Sequence, residues 1–133
     1  MKMLDTNICI YTIKHKPDSV LQKFKTEMMS GNELCISVIT LAELQHGVSK
    51  SGNPEKNQIA LTQFLSFLSI LPFDDYAAIE YGKICAYLQK KGTPIGTMDM
   101  LIAAHAKVQD LVLVTNNTRE FERVPDLKLE NWV

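Results

Sequence analysis

Apolar and polar positions alternate along this chain with two distinct periods. Apolar runs of four or five residues read as buried strands, while longer stretches with apolar residues three and four apart read as amphipathic helices. The chain opens with a short apolar strand ending at Leu4 and turns polar at Asp5-Thr6-Asn7. Ser19-Val20-Leu21-Gln22 has the pattern of a capping box and opens a helix that Gly31 closes; Leu34-Cys35-Ile36-Ser37-Val38 follows as a strand. Thr40-Leu41-Ala42-Glu43 is a second capping-box pattern. Asn53-Pro54-Glu55 places a cap and a first-turn proline ahead of an apolar-periodic helix from Gln58 to about Ser69, which leads into a strand around Ile70 to Phe73.

The second half repeats the alternation. Asp74 or Asp75 caps a helix that runs to Lys91 and stops at Gly92. Thr97 is expected to cap the helix Met98-Asp99-Met100 onward to Gln109, and Leu111-Val112-Leu113-Val114-Thr115 is the clearest strand in the chain. Asn117-Thr118-Arg119-Glu120 starts a short helical turn, and Leu127 to Glu130 reads as a final edge strand. Strands and helices alternating on this scale argue for an α/β fold, a parallel sheet with helices on both faces.

A length of 133 residues suits one domain, residues 1–133, with a core of its own. With 46% hydrophobic and 22% charged residues the composition is that of an ordinary globular protein. No apolar run approaches the roughly 20 residues that cross a bilayer, and Asp5 interrupts the place where a signal peptide is apolar, so a cytoplasmic protein with no membrane partner is expected. Cys9, Cys35 and Cys85 are isolated, odd in number and set in apolar surroundings, which suits reduced packing residues. A net charge of −1 provides no global basic field for nucleic acid, leaving only a local patch for that role.

The acids carry more information. Asp5 follows the first strand, Glu43 lies in the expected first turn after the second, Asp99 opens a later helix, and Glu120 follows the strand ending at Thr115. Taken singly, each is explained by the preference of acids for the positive end of a helix. Taken together they say more: three of them come directly after predicted strands, and the loops leaving the carboxyl ends of parallel strands converge on one rim. Clustered carboxylates repel unless a cation neutralises them, and oxygen donors suit a hard divalent ion, Mg2+ or Mn2+. Such an ion activates water and neutralises phosphoryl charge, which points to phosphodiester hydrolysis.

The stretches MLDTNICIY, SVITLAELQHG, GTPIGTMDMLIAAHA and LVTNNTREFERVPDL, ending in NWV, complete the picture. In their order and spacing the chain resembles the PIN-domain ribonucleases, specifically the VapC toxins of bacterial type II toxin–antitoxin pairs. The resemblance implies a PIN-like three-layer α/β/α sandwich with a parallel five-stranded sheet, a homodimer, an Mg2+ or Mn2+ site, and endonucleolytic cleavage of structured RNA. The implied substrate is often a tRNA anticodon stem-loop, initiator tRNA prominent among them. The implied partner is a VapB-type antitoxin whose carboxyl-terminal segment blocks the site, with a higher assembly of the two on operator DNA. Asp5, Glu43 and Asp99 match the family's metal-binding acids. Asp5 and Asp99 are expected to ligate a metal directly, with Glu43 and Glu120 acting through water or helping to hold a second ion.

The fourth position departs from the family pattern, since Asn117 stands where many members have an aspartate. Glu120 is taken as the fourth acid and Asn117 as a polar helper. Thr6 and Thr115 are candidates to orient the acids or water, against a plain capping role, and Asn7 to fix the first turn. Capping of that turn by Thr6 or Asn7 would leave Asp5 free to face the cation. Lys14, His15, Lys16, Lys50, Lys90, Lys91 and Arg119 are the candidates for contact with RNA phosphates.

Three other readings compete. Asp5-Thr6-Asn7 nearly matches the D-x-D of haloacid-dehalogenase-like phosphatases, but lacks the second acid and the late acidic pair. Glu43-Leu44-Gln45-His46 supplies one E-x-x-H where a di-iron bundle needs two, so His46, like His15 and His105, is read as a packing or surface residue. A binding module without catalysis is disfavoured by the presence of all three matched acids. The apolar faces of NQIALTQFLSFLSI and YAAIEYGKICAYL are candidate dimer surfaces, against burial within the domain.

Overall fold

The computed structural model describes residues 1–133. Strands β1 (Lys2–Leu4), β2 (Leu34–Ser37), β3 (Ser69–Leu71), β4 (Val112–Val114) and β5 (Leu129–Glu130) form one sheet in the order β3-β2-β1-β4-β5. Every pairing is parallel, and Met3 of β1 stands in register with Cys35 on one side and Leu113 on the other. The helices are α1 (Thr6–Lys14), α2 (Asp18–Met29), α3 (Val38–Ser49), α4 (Pro54–Leu65), α5 (Asp75–Lys91), α6 (Thr97–Val108) and the single turn α7 (Thr118–Phe121).

The alternation of side chains along each strand divides the core in two. Met3, Cys35 and Leu113 point to one face and pack with Ile84 and Leu88 of α5, Ile102 of α6 and Phe121 of α7. Leu4, Leu34, Ile36 and Val114 point to the other and pack with Ile8 of α1, Phe24 of α2, Leu44 of α3 and Phe64 of α4. The result is the expected three-layer α/β/α sandwich with five parallel strands. Lys2 pins the chain ends together, its Nζ 2.7 Å from Glu27 Oε1 and 3.0 Å from Glu130 Oε2. Trp132, in turn, donates its indole N–H to Glu130.

Four local expectations are corrected. Ser19 does not cap α2, which begins a residue earlier at Asp18 after Pro17. The box at Thr40 does not form: β2 ends at Ser37, whose Oγ accepts from Ile39 N–H at 3.0 Å, so α3 starts at Val38 and Thr40 is interior. Thr97 is the first residue of α6 rather than its cap, a place held by Gly96. The helix after Pro54 begins directly at that proline and ends at Leu65, with β3 starting at Ser69. Asn53 and Asp74 do cap their helices as read, and Gly92 closes α5 in the left-handed conformation. Cys9 and Cys35 are buried free thiols; Cys85 is half-buried and also free.

Leu88 is fully buried between α5 and α6. Leu88→Ala is expected to lower unfolding free energy by about 2–5 kcal/mol through lost transfer energy and a residual cavity, as measured by urea denaturation.

Candidate active site

With strand order 3-2-1-4-5, the direction of winding reverses between β1 and β4, and the crevice beyond their carboxyl ends is where such folds bind ligands. Asp5 leaves β1 at that point and Thr115 leaves β4. Asp5 is 5% exposed. Its N–H donates to Val114 O at 3.0 Å, tying it across to β4, and its Oδ1 accepts from Ile8 N–H at 2.9 Å as the cap of α1. Thus Asp5 caps the first helix itself; neither Thr6 nor Asn7 relieves it of that task, and one carboxylate oxygen remains outside the cap. Burial raises the Asp5 pKa, with the Glu43 charge adding to the rise. The Thr115 hydroxyl, which acts on the carboxylate without full hydrogen-bond geometry, and the Ile8 and Asn7 N–H groups oppose it.

Thr6, freed from capping, donates its hydroxyl to Glu43 Oε1 at 2.6 Å, with Thr40 Oγ1 3.4 Å away. Because α3 begins at Val38, Glu43 is the sixth helical residue and does not serve the helix end. Its carboxylate, carried by α3, is therefore aimed by Thr6 of α1. Glu120 is held in an analogous way: Asn117 Nδ2 donates to Glu120 Oε2 at 3.0 Å, while Asn117 N–H donates to Thr115 Oγ1 at 2.9 Å. Asn117 does not cap α7 through its side chain. It supports Glu120 instead.

Asp99, half-buried in the first turn of α6, reports the neighbourhood. Burial is the main cause that pushes its pKa up to about 6, followed by the charges of Asp5, Glu120 and Glu43. Asp5, Glu43 and Glu120 are thus all within electrostatic reach of Asp99. No three of them, nor any trio including His or Cys, stand close enough to ligate one ion jointly. The two observations agree on distance, since a charge acts well beyond the 2.0–2.6 Å of a metal–oxygen bond. Carboxylate oxygens are hard donors of the kind a divalent cation takes.

The model of the PIN domain matches residues 2–127. The chain belongs to the VapC family of PIN-domain ribonucleases. It is 48% identical over 130 residues to the tRNA(fMet)-specific endonuclease VapC of Salmonella typhimurium, covering 98% of this chain and 96% of that one. It is equally 48% identical over 130 residues to Ribonuclease VapC2 of Rickettsia felis, again over 98% of this chain and 96% of the relative. The crystal structure of VapBC2 from Rickettsia felis, bound to a DNA fragment from their promoter, superposes with a TM-score of 0.93 at 47% identity, over 99% of this chain and 98% of that one. As a VapC-type PIN domain the chain is an endoribonuclease.

The basic candidates scatter. Lys14 and Lys50 line a cavity of about 340 Å³ whose wall also contains Glu43. His15 lines a neighbouring apolar cavity instead. Lys16 and Arg119 are exposed, Arg119 next to Glu120 on α7. Lys90 and Lys91 stand in the last turn of α5, where Lys91 lies over the Tyr87 ring at 5.7 Å, and neither pairs with any of the four acids. His46 is exposed. The supports that sequence patterns hide are the cross-element bonds, Thr6 to Glu43 above all: its two residues lie 37 positions apart.

Because the folded-state pKa of Asp99 lies above its ordinary 3.8, its contribution to stability is present below pH 4 and lost as pH rises through about 6. In EDTA, the melting temperature of Asp99→Asn relative to the parent chain is therefore expected to climb between pH 4 and 7. Parallel thermal melts across that range check it.

Proposed function

We propose that the chain is the toxin of a type II toxin–antitoxin pair: an endoribonuclease dependent on Mg2+ or Mn2+ that cuts structured RNA, namely a tRNA anticodon stem-loop, with initiator tRNA as first candidate. The relative at 48% identity that is named a tRNA(fMet)-specific endonuclease supports the substrate. The observation that carries the chemistry is the convergence of Asp5, Glu43 and Glu120 on Asp99, felt in the pKa of that carboxyl.

Asp5 and Asp99 are the direct ligands in this reading, and Glu43 and Glu120 act through water or a second ion. The cation, when bound, neutralises charge on the scissile phosphate and lowers the pKa of the attacking water. The chain's own residues set the stage. The α1 cap locks one oxygen of Asp5, Thr6 aims Glu43, and Thr115 and Asn117 carry order from β4 to Glu120. All this is in place before substrate arrives, which is how a fixed polar site avoids reorganisation during the reaction.

The surroundings suit the remaining partners. An apolar groove of about 450 Å³ between α1, α2 and α4, lined by Phe24, Met28, Phe64 and Phe67, shares Ile13 and Ala60 with the cavity that contains Glu43. A VapB-type antitoxin segment with apolar anchors fits that course, and leads to the acids. The relative crystallised as a VapBC complex on promoter DNA supports the pair and its operator assembly. Exposed Ile59, Ile70, Tyr76 and Ile79 offer a surface for a homodimer. The two core clusters share one sheet, in keeping with a single domain over residues 1–133, and no helix is long and apolar enough to cross a membrane. We place its action in the cytoplasm, with its tRNA substrate.

The test is incubation of the purified protein with a tRNA pool and Mn2+. A discrete cut in one tRNA, abolished by EDTA and slowed by about 100-fold or more in Asp5→Asn, is expected. Undiminished cleavage by Asp5→Asn at saturating Mn2+ would refute the assignment. Lys14 and Lys50 are the lysines placed to meet phosphates. In Asp5→Asn protein, binding of a labelled stem-loop RNA is expected to weaken when both become alanine. The slope of log affinity against log salt should become shallower by about 1.4–1.8, two contacts' worth.

A further inference from the structure

Glu43 and Asp99 ride on different helices, and their mutual placement depends on how α3 is set against α6. One buried polar contact joins those two helices. Ser37, at the start of α3, and His105, on α6, are both fully buried, and His105 Nδ1 lies 2.7 Å from Ser37 Oγ. Ser37 Oγ also accepts from Ile39 N–H, and the ring tautomer sets which of Ser37 Oγ and His105 Nδ1 donates in the bond they share. Nε2 has no hydrogen-bond partner. The Pro72 carbonyl influences it without bonding geometry, and the Phe73 ring stands edge-on at 5.5 Å. Burial, the dominant influence, lowers the His105 pKa against the opposing charge of Asp74, which favours the neutral ring.

A position that serves packing alone is better filled by leucine, which matches the volume and leaves no polar atom without a partner. The histidine is explained by what it holds. Ser37 stands six residues before Glu43, and His105 six residues after Asp99. One cross-link thus fixes the start of the helix carrying the first acid to the body of the helix carrying the second.

We propose that His105 is a positioning residue for the nuclease reaction: through its buried hydrogen bond with the Ser37 hydroxyl it sets α3 against α6, and so sets Glu43 against Asp99. The inference deepens the endonuclease reading and rests on it.

Two substitutions in the whole protein separate positioning from packing. His105→Leu keeps the volume and removes the hydrogen bond. His105→Asn brings a side-chain oxygen to the place of Nδ1 but gives up volume. We expect His105→Leu to lower kcat about tenfold with KM for the RNA unchanged and no loss of melting temperature, since small misplacements of reacting groups are expensive in rate. His105→Asn is expected to cleave close to the parent rate although it melts lower. Ser37→Ala should match His105→Leu in kcat, and the two together should lose no more than either alone.

The reverse order, an active leucine variant and an impaired asparagine variant, overturns the proposal, as does full additivity with Ser37→Ala. Should the leucine variant fail to fold, the kcat of Ser37→Ala decides: a parent-like value overturns the proposal. A readout free of RNA is the 15N spectrum of the His105 ring. A hydrogen-bonded Nδ1 that changes in Ser37→Ala is expected, and a ring signal indifferent to that change overturns the contact. If the parent chain cuts no RNA, the endonuclease reading fails, while the ring spectrum still reports on the cross-link.

Discussion

Negative charge brought together beyond the ends of β1 and β4 is the constraint around which this molecule is arranged. Asp5 is nearly buried, Asp99 half so; Asp5 feels the charge of Glu43, and Asp99 feels those of Asp5, Glu120 and Glu43. Left alone, such a group weakens the fold that creates it, because burial and like charge both disfavour the ionised state. Asp5 is tolerated through the backbone, by N–H groups at the start of α1. Asp99 has no such donor among its influences, and its pKa rises further, to about 6. In the proposed function, a bound cation would offset the charge that destabilises the isolated chain.

Placing acids near one another is not sufficient; each must also be aimed. The chain does this with partners from other elements. Thr6 of α1 holds Glu43 of α3, and Asn117 holds Glu120 while its backbone leans on Thr115 at the end of β4. The bond from Thr6 to the Glu43 carboxylate, at 2.6 Å, is short and of the stronger kind. The strand alternation that divides the core into two clusters keeps the sheet rigid beneath them, so that the ends of β1 and β4 present a fixed edge.

Much of this was legible in the residues themselves. The periods of two and of about three and a half, with Asn53-Pro54, Asp74 and Gly92 as punctuation, define the alternation of strand and helix, and such alternation admits essentially one architecture, a parallel sheet covered on both faces. The three acids after strands and the fourth at a helix start followed from the same pattern. The errors were local. At Thr40 a good capping residue stood near a better one, Ser37, which occupies the true boundary because strand pairing fixes where β2 ends; at Thr97 the helix begins one residue earlier, after Gly96. The consequence at Glu43 was substantial. Displaced from the first turn, it has no duty at its own helix end, and its bond to Thr6 explains its place.

The sequence by itself determined the elements, their layering and which carboxylates reach the rim, because periodicity and capping are written over short stretches of chain. Only the tertiary structure decided which oxygen of Asp5 is occupied, that Thr6 serves Glu43 and Asn117 serves Glu120, that Lys14 and Lys50 share a cavity wall with an acid, and that His105 meets Ser37 across 68 residues. Most of those relations are made between residues distant in the chain, and all rest on hydrogen-bond geometry and mutual burial. Neither quantity exists until the sheet has brought the helices together.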